Sequence, residues 1–206
     1  MHRTLTDEIV SLSVEHLWLV FISVAVAITI AAPMAVLLTR HARLRRWTMG
    51  VVNIVQTVPS LALFGFLLPL PFIGGVGKRT AIVALILYAL LPVLRNMLVG
   101  ILGVDAGVRE SAVAMGMTGR QILWGVELPL SFPTILAGVR TATVATIGTA
   151  TIAAAVGGGG LGTFVFRGIA MADTRTILAG AVPAALMAIV ADEVLEWIER
   201  RVSFWL

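Results

Sequence analysis

The sequence contains no cysteine and few charged residues. Without cysteine, the chain can form neither a disulfide framework nor a thiolate metal site. Charged residues make up 13% of its 206 residues, whereas hydrophobic residues make up 59%. Soluble domains average roughly 25% charged and about 45–50% apolar residues. These proportions, together with a mean hydropathy of +1.00, indicate an integral membrane protein that is too short to carry a soluble domain as well.

Residue sets that carry out chemistry are also missing. The three histidines, His2, His16 and His41, are scattered and lie outside the long apolar runs, which argues against a haem or a metal relay. No paired carboxylates or Ser/His/Asp set occurs at a credible spacing, and no Gly-Lys-Ser/Thr sequence is present to bind ATP phosphates. Residues 157–162 (GGGGLG) formally match the dinucleotide fingerprint, but they follow an apolar helix rather than a strand. We therefore expect no metal site, cofactor site or catalytic centre in this chain.

Long apolar runs predict five transmembrane helices, because a helix needs roughly 20 apolar residues to cross the bilayer core. The predicted spans cover residues 17–38, 51–73, 80–103, 133–156 and 177–197, the last becoming amphipathic after residue 191. The expected fold class is an all-α polytopic membrane protein with a single transmembrane domain over residues 1–206. Acidic residues precede the first run, where a cleavable signal needs positive charge, so we expect no such signal.

The arginines predict the orientation in the membrane. Of 15 basic residues 14 are arginine, and in a membrane protein such an excess sets topology more often than it binds nucleic acid. With the N-terminus outside, eight basic residues are cytoplasmic (Arg40, Arg43, Arg45, Arg46, Arg109, Arg120, Arg200, Arg201). Five are then external (Arg3, Lys78, Arg79, Arg167, Arg175). We therefore expect an N-out, C-in chain without a nucleic-acid partner.

One sizeable polar segment, residues 105–129 (DAGVRESAVAMGMTGRQILWGVELP), separates the third and fourth spans. The predicted orientation places it in the cytoplasm. Residues 109–116 and 121–126 have helix-forming character, and the glycines between them predict a helix–turn–helix. Pro129 and Pro133 are expected to end the second helix before the fourth span. The alternative is an amphipathic loop that lies on the membrane surface.

The spacing inside the polar segment resembles the coupling motif of permease subunits of ABC importers. That family's pattern is Glu-Ala-Ala, three residues, Gly, nine residues and Ile-x-Leu-Pro. This chain departs from it only at Ser111 and Val126, both small or conservative changes. The resemblance implies a cytoplasmic coupling helix between spans 3 and 4 that contacts a separate ABC ATPase, where ATP-Mg would bind. The residues it assigns to coupling are Glu110, Ala112, Gly116, Val126, Leu128 and Pro129.

A wider resemblance covers residues 17–201. Residues 53–70, 88–96, 127–143, 147–162 and 166–169 resemble the osmoprotectant subfamily, whose permeases import glycine betaine, choline, carnitine or proline betaine. This implies a multi-pass bacterial cell-membrane protein that acts in osmotic stress by alternating access and is not itself an enzyme. Its partners would be a second permease copy or a homologous permease, an external solute-binding protein and membrane lipid. Because the chain ends at residue 206, the binding protein is expected to be a separate chain.

Polar residues within the predicted spans are candidates for the translocation path. Asn53 and Gln56 are three residues apart and share a helix face, and Pro59 would bend the second span as a hinge. Thr143 and Thr146 belong to a threonine stripe on the fourth span. The alternatives are hydrogen bonds between helices and the packing of small residues.

Two arginines lie in or near the spans. We expect Arg95 and Arg140 to extend toward the cytoplasmic surface. A sharper hypothesis pairs Arg140 with Glu127 or Glu110, which would join the polar segment to the fourth span. The glycine-rich residues 157–162 are expected outside, as a gate or a flexible loop that touches the binding protein.

Two other functions remain compatible with the sequence. One is a type I ABC permease for another small solute, such as an amino acid. The other is a membrane scaffold subunit that transports nothing, although a scaffold would not explain the spacing from Glu110 to Pro129.

Overall fold

The computed structural model describes residues 5–71 and 73–203, and within these ranges the chain is helical without strands. Residues 1–4, 72 and 204–206, which the predicted domain and second span include, lie outside the described part. The α-helices are α1 (Leu5–Arg40), α2 (Ala42–Thr57), α3 (Ser60–Leu67), α4 (Lys78–Leu102), α5 (Ala106–Ala114), α6 (Gly119–Ile122), α7 (Leu128–Ala153), α8 (Gly162–Met171) and α9 (Thr174–Ser203). A π-helical turn, Leu123–Glu127, joins α6 to α7, and a 3₁₀ turn, Ala154–Val156, follows α7.

Four helical segments in the described residues are long and apolar enough to cross a membrane. They are Leu5–Arg40, Lys78–Leu102, Gly119–Val156 and Thr174–Arg201. The fifth predicted span is present only if α2 and α3 are counted together, since they meet at a bend of 101°. The structure therefore supports four to five spans, by helix length and composition.

The bend between α2 and α3 follows from one proline. Pro59 disfavours helical backbone at the residue before it, and Val58 is extended, with φ −68° and ψ 126°. The Tyr88 hydroxyl of α4 donates a hydrogen bond to the Val58 carbonyl oxygen at the break. The predicted hinge position is thus a bend that α4 contacts, and its role as a hinge stays a prediction.

The expectation that Pro129 and Pro133 end the second helix of the polar segment was wrong. The helical segment runs without interruption from Gly119 to Val156. Pro129 follows the π-helical turn Leu123–Glu127, so its missing N–H falls where the regular α-helical hydrogen bonding is already interrupted. Pro133 is accommodated inside α7. The fourth predicted span and the second half of the polar segment therefore form one continuous helical segment.

Small residues allow the three central helices to approach closely. α1 packs chiefly against α4, and Ala27, Ala31 and Ala35, each 0% exposed, form one face of α1. α4 in turn packs against α7. At that crossing Gly100 of α4 faces Ser131, and Gly138 of α7 faces Asn96. Close approach through small side chains is the usual basis of helix association in membranes.

Contacts between distant residues define two ends of the bundle. At one end the last residue of α1, Arg40, lies against the polar segment, and Arg109 of α5 contacts the end of α4. At the other end the Lys78 Nζ atom lies 2.6 Å from a Glu15 carboxylate oxygen, and the Gly160 N–H donates to Glu15 at 3.0 Å. α1 and α4 therefore run in the same direction and α7 runs in the opposite one. We call these the Arg40 end and the Glu15 end.

Candidate functional site

The polar segment folds as the predicted helix–turn–helix, with earlier starts than expected. The Asp105 carboxylate caps α5 by accepting hydrogen bonds from the N–H groups of Gly107 and Val108, at 2.8 and 3.2 Å. Thr118 and Gln121 form a reciprocal capping box at the start of α6. Between the helices Gly116 has a φ of +79°, a left-handed conformation that a residue with a Cβ adopts only with strain. These local devices determine where each short helix begins and ends.

The residues of the coupling motif point in different directions. Glu110 is exposed, and its carboxylate makes no ion pair or hydrogen bond within the part of the chain that the structure describes. Ala112, two residues later, is 1% exposed, so its small side chain serves packing within the chain. Val126, Leu128 and Pro129 are half-buried at the junction with α7. The motif thus combines one outward carboxylate with residues that hold the segment in place.

The polar segment also exposes several apolar side chains. Val108, Val113, Met115 and Trp124 are 42%, 62%, 73% and 64% exposed. A run of exposed apolar side chains rimmed by a charge is typical of a surface that binds a partner. The geometry of this segment is suited to docking, and it provides no pair of groups for acid–base chemistry.

Behind that surface lies a buried carboxylate that the sequence analysis did not include among the coupling residues. Glu127, the last residue of the π-helical turn, is 5% exposed. One of its oxygens lies 3.1 Å from Nε of Arg109, and the other accepts a hydrogen bond from Nη2 of Arg40 at 3.4 Å. Arg40 Nη2 also lies 3.4 Å from the Gly119 carbonyl oxygen, to which it donates. The sequence signal was present, since Glu127 is the acidic residue directly before Leu128 and Pro129, but nothing indicated its partners.

The hypothesis that Arg140 pairs with Glu127 or Glu110 was wrong. Arg140 instead binds three carboxylates on α9. Its Nε and Nη2 atoms donate to Asp192 at 2.5 and 2.8 Å, its Nη2 lies 2.7 Å from Glu196, and its Nη1 lies 3.8 Å from Glu199. The three acids lie at positions i, i+4 and i+7 of α9, so they share the helix face that packs on α7. Arg140 therefore joins the fourth span to the last one.

Arg95 lies apart from these clusters. It is exposed on α4 and, with Arg45 and Arg46 of α2, lines a groove of about 470 Å³ near the Arg40 end. None of these three arginines forms an ion pair within residues 5–71 and 73–203. Arg45 and Arg46, which were predicted to be cytoplasmic, therefore lie near the same end of the bundle as the polar segment.

The candidates for the translocation path occupy two kinds of position. Asn53 and Gln56 are both exposed on α2, and Pro59 is at the corner that follows. Thr143 is half-buried and Thr146 is 1% exposed. Their hydroxyls donate to the carbonyl oxygens of Val139 and Ala142, at 2.8 and 2.6 Å. Each hydroxyl is thus satisfied by its own helix, and a role of any of these residues in transport stays a prediction.

The glycine-rich loop lies at the Glu15 end and is packed rather than open. Gly158, Gly160 and Leu161 are buried. His16, which the sequence analysis placed outside the apolar runs, is 0% exposed within α1, where its Nε2 atom lies 3.0 Å from the Ile147 carbonyl oxygen. The missing side chains let the loop backbone pack against α1, and the expected flexibility of the loop stays a prediction. A role as a gate stays a prediction.

Comparison with known proteins gives consistent matches over almost the whole chain. A family model described as "Binding-protein-dependent transport system inner membrane component" matches residues 16–204. The glycine betaine/carnitine/choline transport system permease protein OpuCB of Bacillus subtilis (strain 168) is 47% identical, over 92% of this chain and 86% of the relative. The osmoprotectant import permease protein OsmW of Salmonella typhimurium is 43% identical, over 90% and 87%.

A solved structure supports the same architecture. The chain is similar to a chain of the methionine ABC transporter MetNI in an inward facing conformation, with a TM-score of 0.88 and 24% identity. The match covers 98% of this chain and 99% of that one. At this level of identity the likeness shows a common fold.

Proposed function

The chain belongs to the family of inner membrane components of binding-protein-dependent transport systems, and from that premise we propose that it is the permease of an importer for a compatible solute. The solute would be glycine betaine, choline, carnitine or proline betaine. The observation that carries the proposal is the 47% identity, over 92% of the chain, to a permease for glycine betaine, carnitine and choline. An amino acid remains the second candidate, because the polypeptide fold is shared with a methionine transporter.

The proposed topology has five spans, with the N-terminus outside and the C-terminus in the cytoplasm. The α2–α3 pair counts as one bent span. Support comes from Arg40, Arg45, Arg46 and Arg95, which lie at the end of the bundle that carries the polar segment. Basic residues beside spans favour the cytoplasmic side. The Glu15 end, with the packed glycine loop, would then face the external binding protein.

The proposed coupling surface is the outer face of the polar segment. The free carboxylate of Glu110 and the exposed side chains of Val113 and Met115 would contact a separate ATPase. Closure of two ATP-bound ATPase subunits would move these helices and, through them, the spans, as a rigid-body transition. ATP hydrolysis would belong to that partner chain.

A second permease subunit is the other proposed partner. α2 exposes Asn53 and Gln56, and within the proposed second span exposed amide side chains would be unfavourable against lipid. These residues would instead face an aqueous path between two permeases. Purification of the assembled importer would show whether the second subunit is an identical copy or a homologue.

Because Glu110 is exposed and unpartnered among the described residues, its replacement tests coupling without disturbing the fold. We expect Glu110→Lys to lower solute uptake by about tenfold or more, since an interface coupling of roughly 1–3 kcal/mol corresponds to about 5–150-fold. The measurement is copurification with the partner ATPase, followed by uptake of labelled glycine betaine, choline and carnitine in proteoliposomes.

The matched control is Glu193→Lys, the same substitution at an exposed carboxylate of α9. It should leave uptake and ATPase binding unchanged. Normal ATPase binding and uptake in the Glu110 variant would contradict the coupling role. If the wild-type importer transports an amino acid but none of the three solutes, the proposed substrate class is wrong and an amino acid takes its place.

A further inference from the structure

We propose that Glu127 is the positioning residue through which movement of the polar segment is transmitted to the spans, an inference that rests on the proposed coupling function. The observation is a cluster of three charged side chains, Arg40, Arg109 and Glu127, which we call the Glu127 cluster. Its members come from three elements: the last residue of α1, the helix α5 and the turn that enters α7.

The cluster connects α5 to all three central helices. Arg109 belongs to α5 and pairs with Glu127, whose backbone continues directly into α7. The Arg109 Nη2 atom also donates to the carbonyl oxygen of Ile101 in the last turns of α4. Arg40 completes the cluster from the end of α1. A displacement of α5 therefore moves one guanidinium that contacts both neighbouring helix ends.

Because the Glu127 carboxylate is buried, its contacts with the two arginines resist separation. A carboxylate that is 5% exposed is unfavourable unless opposite charges compensate it. Separating Arg109 from Glu127 would leave that charge with only Arg40 as an ionic partner among the described residues. The three groups are therefore held together through a movement of the segment, whereas an apolar contact would allow sliding.

α1 depends on the cluster more than the other helices do. α4 and α7 are covalently close to the polar segment, which lies between them in the chain. α1 is distant in sequence, and an apolar groove of about 640 Å³ is lined by its last turns and by Leu123, Trp124 and Leu128. Packing at this end is thus open, and Arg40 provides the charged link across it. Without Glu127, the polar link from Arg40 to the segment would be reduced to its 3.4 Å contact with the Gly119 carbonyl oxygen.

The test uses the complete importer, reconstituted with its ATPase and binding protein. We expect Glu127→Gln to lower the number of solute molecules imported per ATP hydrolysed by about tenfold, while ATPase binding is retained. The isosteric amide keeps the shape of the side chain and removes its charge. Glu193→Gln, the same change at an exposed carboxylate of α9, is the matched control and should keep the wild-type ratio.

A second variant keeps the test valid if Glu127→Gln fails to fold. The Arg40 side chain is 49% exposed, so Arg40→Gln removes the charged link to α1 with little cost to folding. We expect the same loss of uptake per ATP. If both act through one link, the double variant should be no worse than the stronger single variant. Fully additive losses would contradict a shared link.

A spectroscopic measurement distinguishes loss of the contact between α1 and the polar segment from general destabilisation of the fold. Since the chain has no cysteine, cysteines introduced at the exposed positions Leu37 of α1 and Ala106 of α5 can carry spin labels without a background signal from this chain. We expect a narrow distance distribution in the parent and a clearly broader one after Glu127→Gln, with no broadening after Glu193→Gln. This measurement requires the ATPase and nucleotide but no solute.

The outcomes distinguish the two proposals. A parent importer that couples uptake to ATP, with unchanged ratios and distances in the Glu127 and Arg40 variants, would overturn the inference and leave the proposed function intact. A parent that imports none of the three solutes would overturn the proposed substrate class. In that case the distance measurement alone would decide whether Glu127 holds α1 to the polar segment.

Discussion

We expect a Gly138→Leu variant to lose the folded helix bundle. Gly138 lies where α7 crosses α4, and a Cβ atom added there would be 2.4 Å from the Asn96 Cβ atom and 3.0 Å from the Pro92 carbonyl oxygen. Rotation of the Asn96 side chain cannot relieve this contact, because the position of its Cβ atom is fixed by the α4 backbone; its Nδ2 also donates a hydrogen bond to the same Pro92 carbonyl at 2.8 Å. The two helices would have to separate. Overpacking a tight interior costs about 1–3 kcal/mol, and leucine adds three further carbons.

The measurement is thermal unfolding of the purified permease in detergent, with the monodisperse fraction as a second readout. Gly138→Ala should lower the melting temperature, and Gly138→Leu should give little monodisperse protein. Gly148→Leu is the matched control, because Gly148 is on the same helix and a Cβ atom added there would meet no atom of another residue within 4 Å. Equal melting temperatures for the Gly138 and Gly148 variants would show that the α4–α7 crossing tolerates a wider spacing.

Replacing Arg140 with glutamine is expected to detach α9 from α7. Arg140 supplies the cation that lies within ion-pair distance of Asp192, Glu196 and Glu199. Without it, three carboxylates on one helix face repel one another, and among the described residues only Glu196 retains a cation, Arg200. We expect the melting temperature to fall by at least roughly 2–4 °C, the size of shift typical of a modest destabilisation in a chain of this length.

The comparison for this prediction is Arg95→Gln, which removes an exposed arginine that makes no ion pair in the described residues. It should leave the melting temperature unchanged. Adding Asp192→Asn to Arg140→Gln should recover part of the loss, because it removes one of the repelling charges. An Arg140→Gln variant that is as stable as the parent would mean that the apolar surfaces of α7 and α9 hold them together without the charges.

Interactions between residues close in sequence predicted the helix–turn–helix of the polar segment, but not how the chain continues from it into α7. Caps and a left-handed glycine act within four residues, so the sequence around Asp105, Gly116 and Thr118 is sufficient to place two short helices. Pro129 was misinterpreted, because its effect depends on its position within a helix. Pro129 follows a π-helical turn at which the regular α-helical hydrogen bonding is already interrupted, so the helix continues through it. A π-helical turn before it was not predictable from residue type.

Glu110 and Glu127 show more generally what cannot be predicted from the sequence. Both are acidic residues of the same polar segment, and the sequence assigned a role to Glu110 because of motif spacing. Only the packed structure shows that Glu110 is exposed and that Glu127 is buried between two arginines. Helical periodicity indicates which residues share a face, but it does not indicate what that face will meet.

The sequence by itself determined that this is a helical membrane protein, that a helix–turn–helix lies between its third and fourth predicted spans, and that its motif resembles that of an importer permease. Those conclusions rest on apolar run length and on interactions within a few residues, which composition and spacing carry directly. The tertiary structure alone decided that Arg140 binds α9, that Glu127 joins α1 to α5, and that the glycine loop packs on Glu15 and His16. These contacts join residues from 18 to 145 positions apart, so they depend on how the helices cross.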